Sequence, residues 1–314
     1  MFSDVKKQDI IKNLTTIRDY IRWTISEMTQ QKVYFGHGSE TAWDEAIHLV
    51  LSALNISTDI DSNMIGANLL TEEKEKIIKY VYQRAYLRKP LPYILKKAWF
   101  ADMEFDIDER VIIPRSPVAE LIRNSFTPWV ADVDEITEVL DLCTGSGCIG
   151  IACATVFENA DVTLVDISDD ALSVAKLNIR KHNLTDRVKT VKSDLFANLG
   201  NKKFDVIISN PPYVDKEDID SMPREYHFEP KLALEAGEDG LDLAKKIILE
   251  ADQHLTEEGI LIVEVGNSQY ALMEMCPDIP FTWLSFAEGG DGVFLLTYEE
   301  LIKYKSLFIN YFSK

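Results

Sequence analysis

The sequence predicts an α/β protein with a doubly wound, mostly parallel sheet, preceded by a small helical domain and a β-hairpin bridge. Three observations carry this reading. From residue 137 onward, short runs of branched apolar residues alternate with amphipathic helical stretches, the pattern of strands buried under helices. Before residue 90 the apolar residues recur at helical spacing. Between residues 91 and 113 the period shortens towards two. The expected division is a helical domain over 1–89, a hairpin linker over 90–114 and an α/β domain over 115–314.

In the first domain, Ile10, Ile11, Leu14, Ile17, Ile21, Ile25 and Met28 predict one helix over residues 8–28. Gly36-His37-Gly38 breaks the pattern, and Ser39 or Thr41 is placed to cap the next helix, through Trp43, Ala46, Ile47, Val50 and Leu51. A further helix follows Thr71, whose neighbours Glu72, Glu73 and Glu75 suit the positive end of a helix dipole. It stops before Pro90. Tyr93, Leu95, Trp99, Phe100, Met103, Phe105, Ile107, Val111 and Ile113 then read as short strands.

In the α/β part, helices are expected over 118–124, 148–157, 169–182, 241–255 and 300–311. Strands are expected over 139–142, 162–165, 188–191, 204–209, 260–265, 281–286 and 293–297. The Gly289-Gly290-Asp291-Gly292 turn separates the last two.

Asp and Glu outnumber Lys and Arg by 52 to 33, a net charge of −19. Such a field repels a phosphate backbone unless a local basic patch overrides it, and attracts a basic protein. The sequence holds no basic run long enough to be such a patch. Neither a signal-peptide core nor an apolar run of about 20 residues is present, so a cytoplasmic protein with no membrane partner is expected. Cys143, Cys148, Cys153 and Cys276 form no CxxC pair and have no His at zinc spacing. They read as reduced thiols, with no metal.

Two stretches carry candidate chemistry. Asp141-Leu142-Cys143-Thr144-Gly145-Ser146-Gly147 joins the first strand of the α/β part to its helix, where ligands of doubly wound folds bind. Gly145, Gly147 and Gly150 fit GxGxxG. Alone that match is weak, because glycines at such a turn also serve packing. Asp166 ends the second strand and can accept ribose hydroxyls of either NAD or S-adenosylmethionine; an Asp there also caps helices.

The second stretch, Asn210-Pro211-Pro212-Tyr213, stops the strand over 204–209 abruptly. Two prolines fix φ and push the residue before each into extended backbone, giving a rigid elbow. An amide nitrogen is a weak nucleophile because its lone pair is conjugated. Asn210 Oδ1 and the Pro211 carbonyl are suited to accept the two N–H bonds of an –NH2 group, orienting it and stabilising developing charge. Tyr213 can pack on its flat face. The elbow suits an adenine amino group as well as a carboxamide.

Asp141 to Gly147, Asp166, Asp194-Leu195 and the elbow together resemble the motifs of class I S-adenosylmethionine-dependent methyltransferases. Val111-Ile112-Ile113-Pro114-Arg115, Phe228-Glu229-Pro230-Lys231 and Val263-Glu264-Val265-Gly266 resemble the protein glutamine-N5 methyltransferase family. Tyr34-Phe35-Gly36-His37-Gly38, Ala42-Trp43-Asp44-Glu45-Ala46 and Gly266-Asn267-Ser268 are similar to its branch acting on the third large-subunit ribosomal protein. The resemblance implies S-adenosyl-L-methionine held by Asp141, Cys143, Thr144, Gly145, Gly147, Asp166, Ile167, Asp194, Leu195 and Asn210. It implies catalysis by Asn210, Pro211 and Tyr213, with Pro212, Arg115 and Glu229 also meeting the substrate, a basic ribosomal protein. Cys143 stands where the wider family has glycine, which weighs against the release-factor branch. Adenine-N6 methylases of nucleic acid share the elbow, but the net charge disfavours them. The acidic residues Asp215, Glu217, Asp218, Asp220, Glu225 and Glu229 follow the elbow and read as a solvated loop or as an attraction for a basic partner.

Overall fold

A computed structural model describes residues 2–215 and 221–313. Of the acidic stretch after the elbow, Glu217, Asp218 and Asp220 lie outside the described residues. The chain divides into two compact units. One comprises Met1–Lys97 with Pro223–Phe228, and the other Ala98–Met222 with Glu229–Lys314.

The first unit is helical. The helix expected over 8–28 is two, α1 (Asp4–Asn13) and α2 (Ile17–Gln30). Apolar spacing runs on through Leu14, but Thr16 and Asp19 form a capping box that restarts the helix. The Asp19 carboxylate also takes the Thr15 N–H. Thr41 caps α3 (Ala42–Ala53), and α4 (Thr71–Val81) runs into a single π turn, Tyr82–Tyr86. Ile17, Tyr20, Met28, Leu49, Val50, Ile77 and Val81 form the shared core.

The segment Pro223–Phe228 packs in this unit through an ionic anchor. The buried Glu225 carboxylate accepts the Tyr34 N–H at 3.0 Å and pairs with Arg88 at 3.1 Å. Fully buried Arg84 bonds Glu45 and lies 3.4 Å from Glu225.

Residues 91–95, expected as strand, form a short helix, α5 (Leu91–Leu95). Proline in a first turn is compatible with a helix, and Lys96 ends it with φ +59°. The hairpin is confined to β1 (Lys97–Phe100) and β2 (Met103–Asp106). Its turn residues, Ala101 and Asp102, both have positive φ, as a type I′ hairpin turn requires.

The second unit is built on a seven-stranded sheet. Its strands are β3 (Glu138–Leu142), β4 (Asp161–Asp166), β5 (Val188–Lys192), β6 (Phe204–Ser209), β7 (Leu255–Glu264), β8 (Thr282–Trp283) and β9 (Val293–Thr297). The order is β5-β4-β3-β6-β7-β9-β8, parallel except where β9 runs antiparallel to β7 and β8. The helices are α6 (Val118–Arg123), α7 (Cys148–Val156), α8 (Asp169–Lys181), α9 (Asp242–Glu250), α10 (Gln269–Met275) and α11 (Tyr298–Phe312).

Strand alternation shows how both faces are covered. Leu140 and Leu142 join a core with Ile247 and Ile248 of α9 and Phe308 of α11. Asp141 points the other way, against Gly150 of α7. Leu255, expected to end a helix, already belongs to β7, and the strand expected over 281–286 shrinks to the two residues of β8. The helix α10 was not anticipated.

Candidate active site

The parallel strands β3, β4 and β6 end side by side, with Leu142 opposite Val165 on one side and Ser209 on the other. The loops after them line one cleft, at the carboxyl ends of the strands where ligands of such sheets bind.

After β3 the backbone turns left-handed at Cys143, Gly145 and Gly147 (φ +58°, +55° and +83°). Asp141 braces the turn from beneath. Its Oδ2 accepts the Thr144 hydroxyl at 2.5 Å and the Gly150 N–H at 2.9 Å. Close approach explains Gly150, where a Cβ would lie 2.2 Å from the Leu164 side chain. Fully buried Asn178 of α8 holds the loop from behind: its Nδ2 donates to the Ser146 carbonyl and to the Asp106 carbonyl, while its Oδ1 accepts the Asp106 N–H.

Asp166 ends β4 in the cleft. Its two oxygens accept the N–H groups of Gly145 and Ser168, each at 2.9 Å. Burial raises its pKa against these bonds. Cys143 lines the same wall, and burial pushes its thiol far up. It is a neutral filler, not a nucleophile.

The elbow follows β6. Asn210 and Pro212 line the cleft, whereas Pro211 is buried. A Cβ on Gly266 would lie 2.6 Å from the Tyr213 ring, so the ring packs directly on that glycine. The Tyr213 hydroxyl donates to Glu264 Oε1 at 2.9 Å. Ser268 donates to the Tyr213 carbonyl. Beside the elbow, Arg115 makes a two-pronged ion pair with buried Glu229, which also accepts the Ile113 N–H.

The chain is 76% identical to the ribosomal protein uL3 glutamine methyltransferase of Francisella tularensis subsp. tularensis (strain SCHU S4 / Schu 4) over 314 residues, all of both chains. It belongs to the uL3 glutamine methyltransferase family. The Neisseria gonorrhoeae (strain ATCC 700825 / FA 1090) member is 42% identical, over 93% of this chain and 97% of its own. Residues 129–225 match the Methyltransferase small domain family. The crystal structure of a methyltransferase from Pyrococcus furiosus aligns with 73% of this chain and 99% of its own, at 15% identity and a TM-score of 0.43. The fold is that of a class I methyltransferase, with the helical unit and hairpin before it.

In this member of the family, Cys143, Gly145, Asp166, Ile167, Asp194, Leu195, Asn210 and Pro212 meet in one cleft. Asp141, Thr144, Gly147, Pro211 and Tyr213 do not line it. Asp141 has no exposed surface and supports the loop; Gly147 turns inward, where a Cβ would press on Ile151, Leu164 and Ala175. Arg115 and Glu229 are spent on each other beside the elbow. Sequence reasoning missed Arg110, Ile112, Leu232 and Leu243 as wall residues. It also missed the bracing by Asn178, for which one polar residue on an amphipathic helix is no signal. Among the described residues, no group of His, Cys, Asp and Glu could hold a metal, and no helix is long and apolar enough to cross a membrane.

Proposed function

We propose that this chain transfers the methyl group of S-adenosylmethionine to the side-chain nitrogen, N5, of a glutamine in ribosomal protein uL3. The observation that carries the reading is Asn210, held on a proline-stiffened elbow in the same cleft as the Gly145 turn and Asp166. Full-length identity to a curated member supports the choice of substrate.

The cleft fits the cofactor on charge. Asp166 and Asp194 line it, and Arg110, its guanidinium-bearing wall residue, is already paired with Asp108 through two N–H groups. Such a wall favours a cationic sulfonium over the pyrophosphate of a dinucleotide. The Asp166 oxygens accept backbone N–H groups of the loop and, facing the cleft, suit a ribose hydroxyl as well. When bound, S-adenosylmethionine supplies an electrophilic methyl group on positively charged sulfur.

The chain's part is orientation. Asn210 Oδ1 and the Pro211 carbonyl accept the two N–H bonds of the glutamine amide, aiming its nitrogen and stabilising the positive charge that develops there. The prolines remove backbone freedom from both acceptors. Tyr213, seated on Gly266, offers a flat surface to the amide plane. Arg115 and Glu229 steady the elbow as a pair. The helical unit, with Trp43 exposed on it, selects a basic protein partner that the acidic chain attracts.

The test is incubation of the purified protein with uL3 and methyl-labelled S-adenosylmethionine, followed by peptide mass spectrometry. One methyl on a glutamine side chain is expected; label on adenine of RNA, or none on uL3, overturns the reading. Asn210→Ala is expected to slow transfer by at least about 100-fold, as loss of a transition-state acceptor does, and to leave cofactor affinity within a few fold. A variant that loses both, or neither, contradicts the assigned role.

A further inference from the structure

Glu264, the last residue of β7, is buried where no ordinary packing role asks for a carboxylate. Register places it beside the elbow. Ser209 of β6 pairs with Val263 of β7 in parallel alignment, so the next residues, Asn210 and Glu264, emerge side by side on one face. Donors converge on the carboxylate. Ser116 Oγ donates to Oε2 at 2.5 Å and Tyr213 Oη to Oε1 at 2.9 Å. Burial raises the Glu264 pKa, while Ser116, Tyr213, the Arg115 charge and the Asn210 side chain all work to keep it ionised.

An ionised carboxylate only accepts hydrogen bonds, whereas an Asn amide both donates and accepts. Beside Glu264, the Asn210 amide is therefore satisfied only with Nδ2 turned towards the carboxylate. That leaves Oδ1 facing the cleft. We infer that Glu264 is a positioning residue for methyl transfer: it sets the Asn210 amide so that Oδ1 faces the substrate nitrogen, and fixes the Tyr213 hydroxyl at the same time. The inference rests on the reading that Asn210 receives an amide. Glu264 itself does not line the cleft.

The test is an exchange of the two groups, measured at pH 8 with uL3 as substrate. Glu264→Gln leaves one acceptor oxygen where Ser116, Tyr213 and Asn210 all donate, and sets an NH2 group among those donors. It is expected to lower kcat about 100-fold, the cost of a small misplacement of a catalytic group, with the dissociation constant for S-adenosylmethionine unchanged. Asn210→Asp keeps an acceptor but sets two carboxylates side by side, and is expected to lower kcat by at least about 30-fold through like-charge repulsion. The double variant Asn210→Asp/Glu264→Gln restores one donor opposite one acceptor, and is expected to recover at least about tenfold over either single variant. Glu264→Gln combined with Asn210→Ala is expected to be no slower than Asn210→Ala alone.

Additive losses, or an exchange variant no faster than the singles, overturn the inference, because a purely structural carboxylate has no reason to be rescued at a second site. If Glu264→Gln does not fold, Asn210→Asp alone decides: wild-type kcat in that variant overturns the inference. Failure of the underlying reading is distinguishable. In that case Asn210→Ala keeps its activity, or the wild-type protein leaves glutamine unmethylated.

Discussion

Asp141 reports on the cost of building the glycine turn after β3. Burial pushes its carboxyl up to about 7, against the Thr144 and Gly150 bonds that pull it down, and Oδ1 has no hydrogen-bond partner among the described residues. The sign of the pH effect follows from linkage. Between about 4 and about 7 the folded chain holds a proton that the unfolded chain has released. Stability from this group therefore falls as pH rises through that window, and the full penalty applies above it. In Asp141→Asn, Oδ1 takes the place of the bonded oxygen and no charge is buried. The melting temperature of Asp141→Asn relative to wild type, without cofactor, is expected to be more favourable at pH 8 than at pH 5. An equal difference at both values would show that folding binds no proton at Asp141 in this range, so that the folded carboxyl is already ionised at pH 5. The same residue marks a limit of motif reading. The sequence places Asp141 at the glycine loop after β3, and the structure sets it beneath that loop; which side of a turn a carboxylate takes depends on backbone signs that a motif does not carry. Asp166, two residues before the cap of α8, was expected in the cleft and is in it.

Elements with strong periodicity were legible. The strands before the Gly145 loop, Asp166 and the elbow have the expected residues within one position or so, because buried parallel strands are continuous apolar runs bounded by turn signals. Boundaries set by side-chain capping were not. Leu14 keeps the helical spacing alive across the gap between α1 and α2, and only the Thr16–Asp19 pair ends it. The Leu91–Leu95 helix carries residues that suit strands, so tertiary packing overrides local preference there. Asn178 ties three elements together. It joins α8 to the end of β2 and to the turn before α7 with three hydrogen bonds. Asn178→Ala strands two carbonyls and one N–H in places with little water. Unfolding in urea is expected to show a loss of about 2–4 kcal/mol, with a weaker affinity for S-adenosylmethionine because the Ser146 carbonyl loses its anchor. A loss below about 1 kcal/mol would mean that water replaces the amide.

At the scale of the whole molecule, the acidic balance is the property that motif and fold leave unexplained. A net charge of −19 opposes folding and self-association rather than helping either. Its use is in encounter with the partner. The proposed substrate belongs to a particle made largely of nucleic acid, and an enzyme that repels phosphate but attracts basic protein discriminates between them before any contact is made. Attraction of this kind carries a particular salt dependence. From about 0.1 to about 1 M salt the Debye length shrinks from about 10 Å to about 3 Å, so attraction between separated charges is lost while contacts inside the cleft persist. The ratio kcat/KM for whole uL3 is expected to fall about tenfold over that range through KM, with kcat nearly constant. A short uncharged peptide carrying the target glutamine has no such field to feel, and its kcat/KM is expected to stay within about twofold. If both substrates lose activity in parallel, salt is acting on the cleft, and the charge of the chain has no part in choosing the partner. If neither changes, recognition rests on the surface of the helical unit alone, where exposed Trp43 is the first residue to replace.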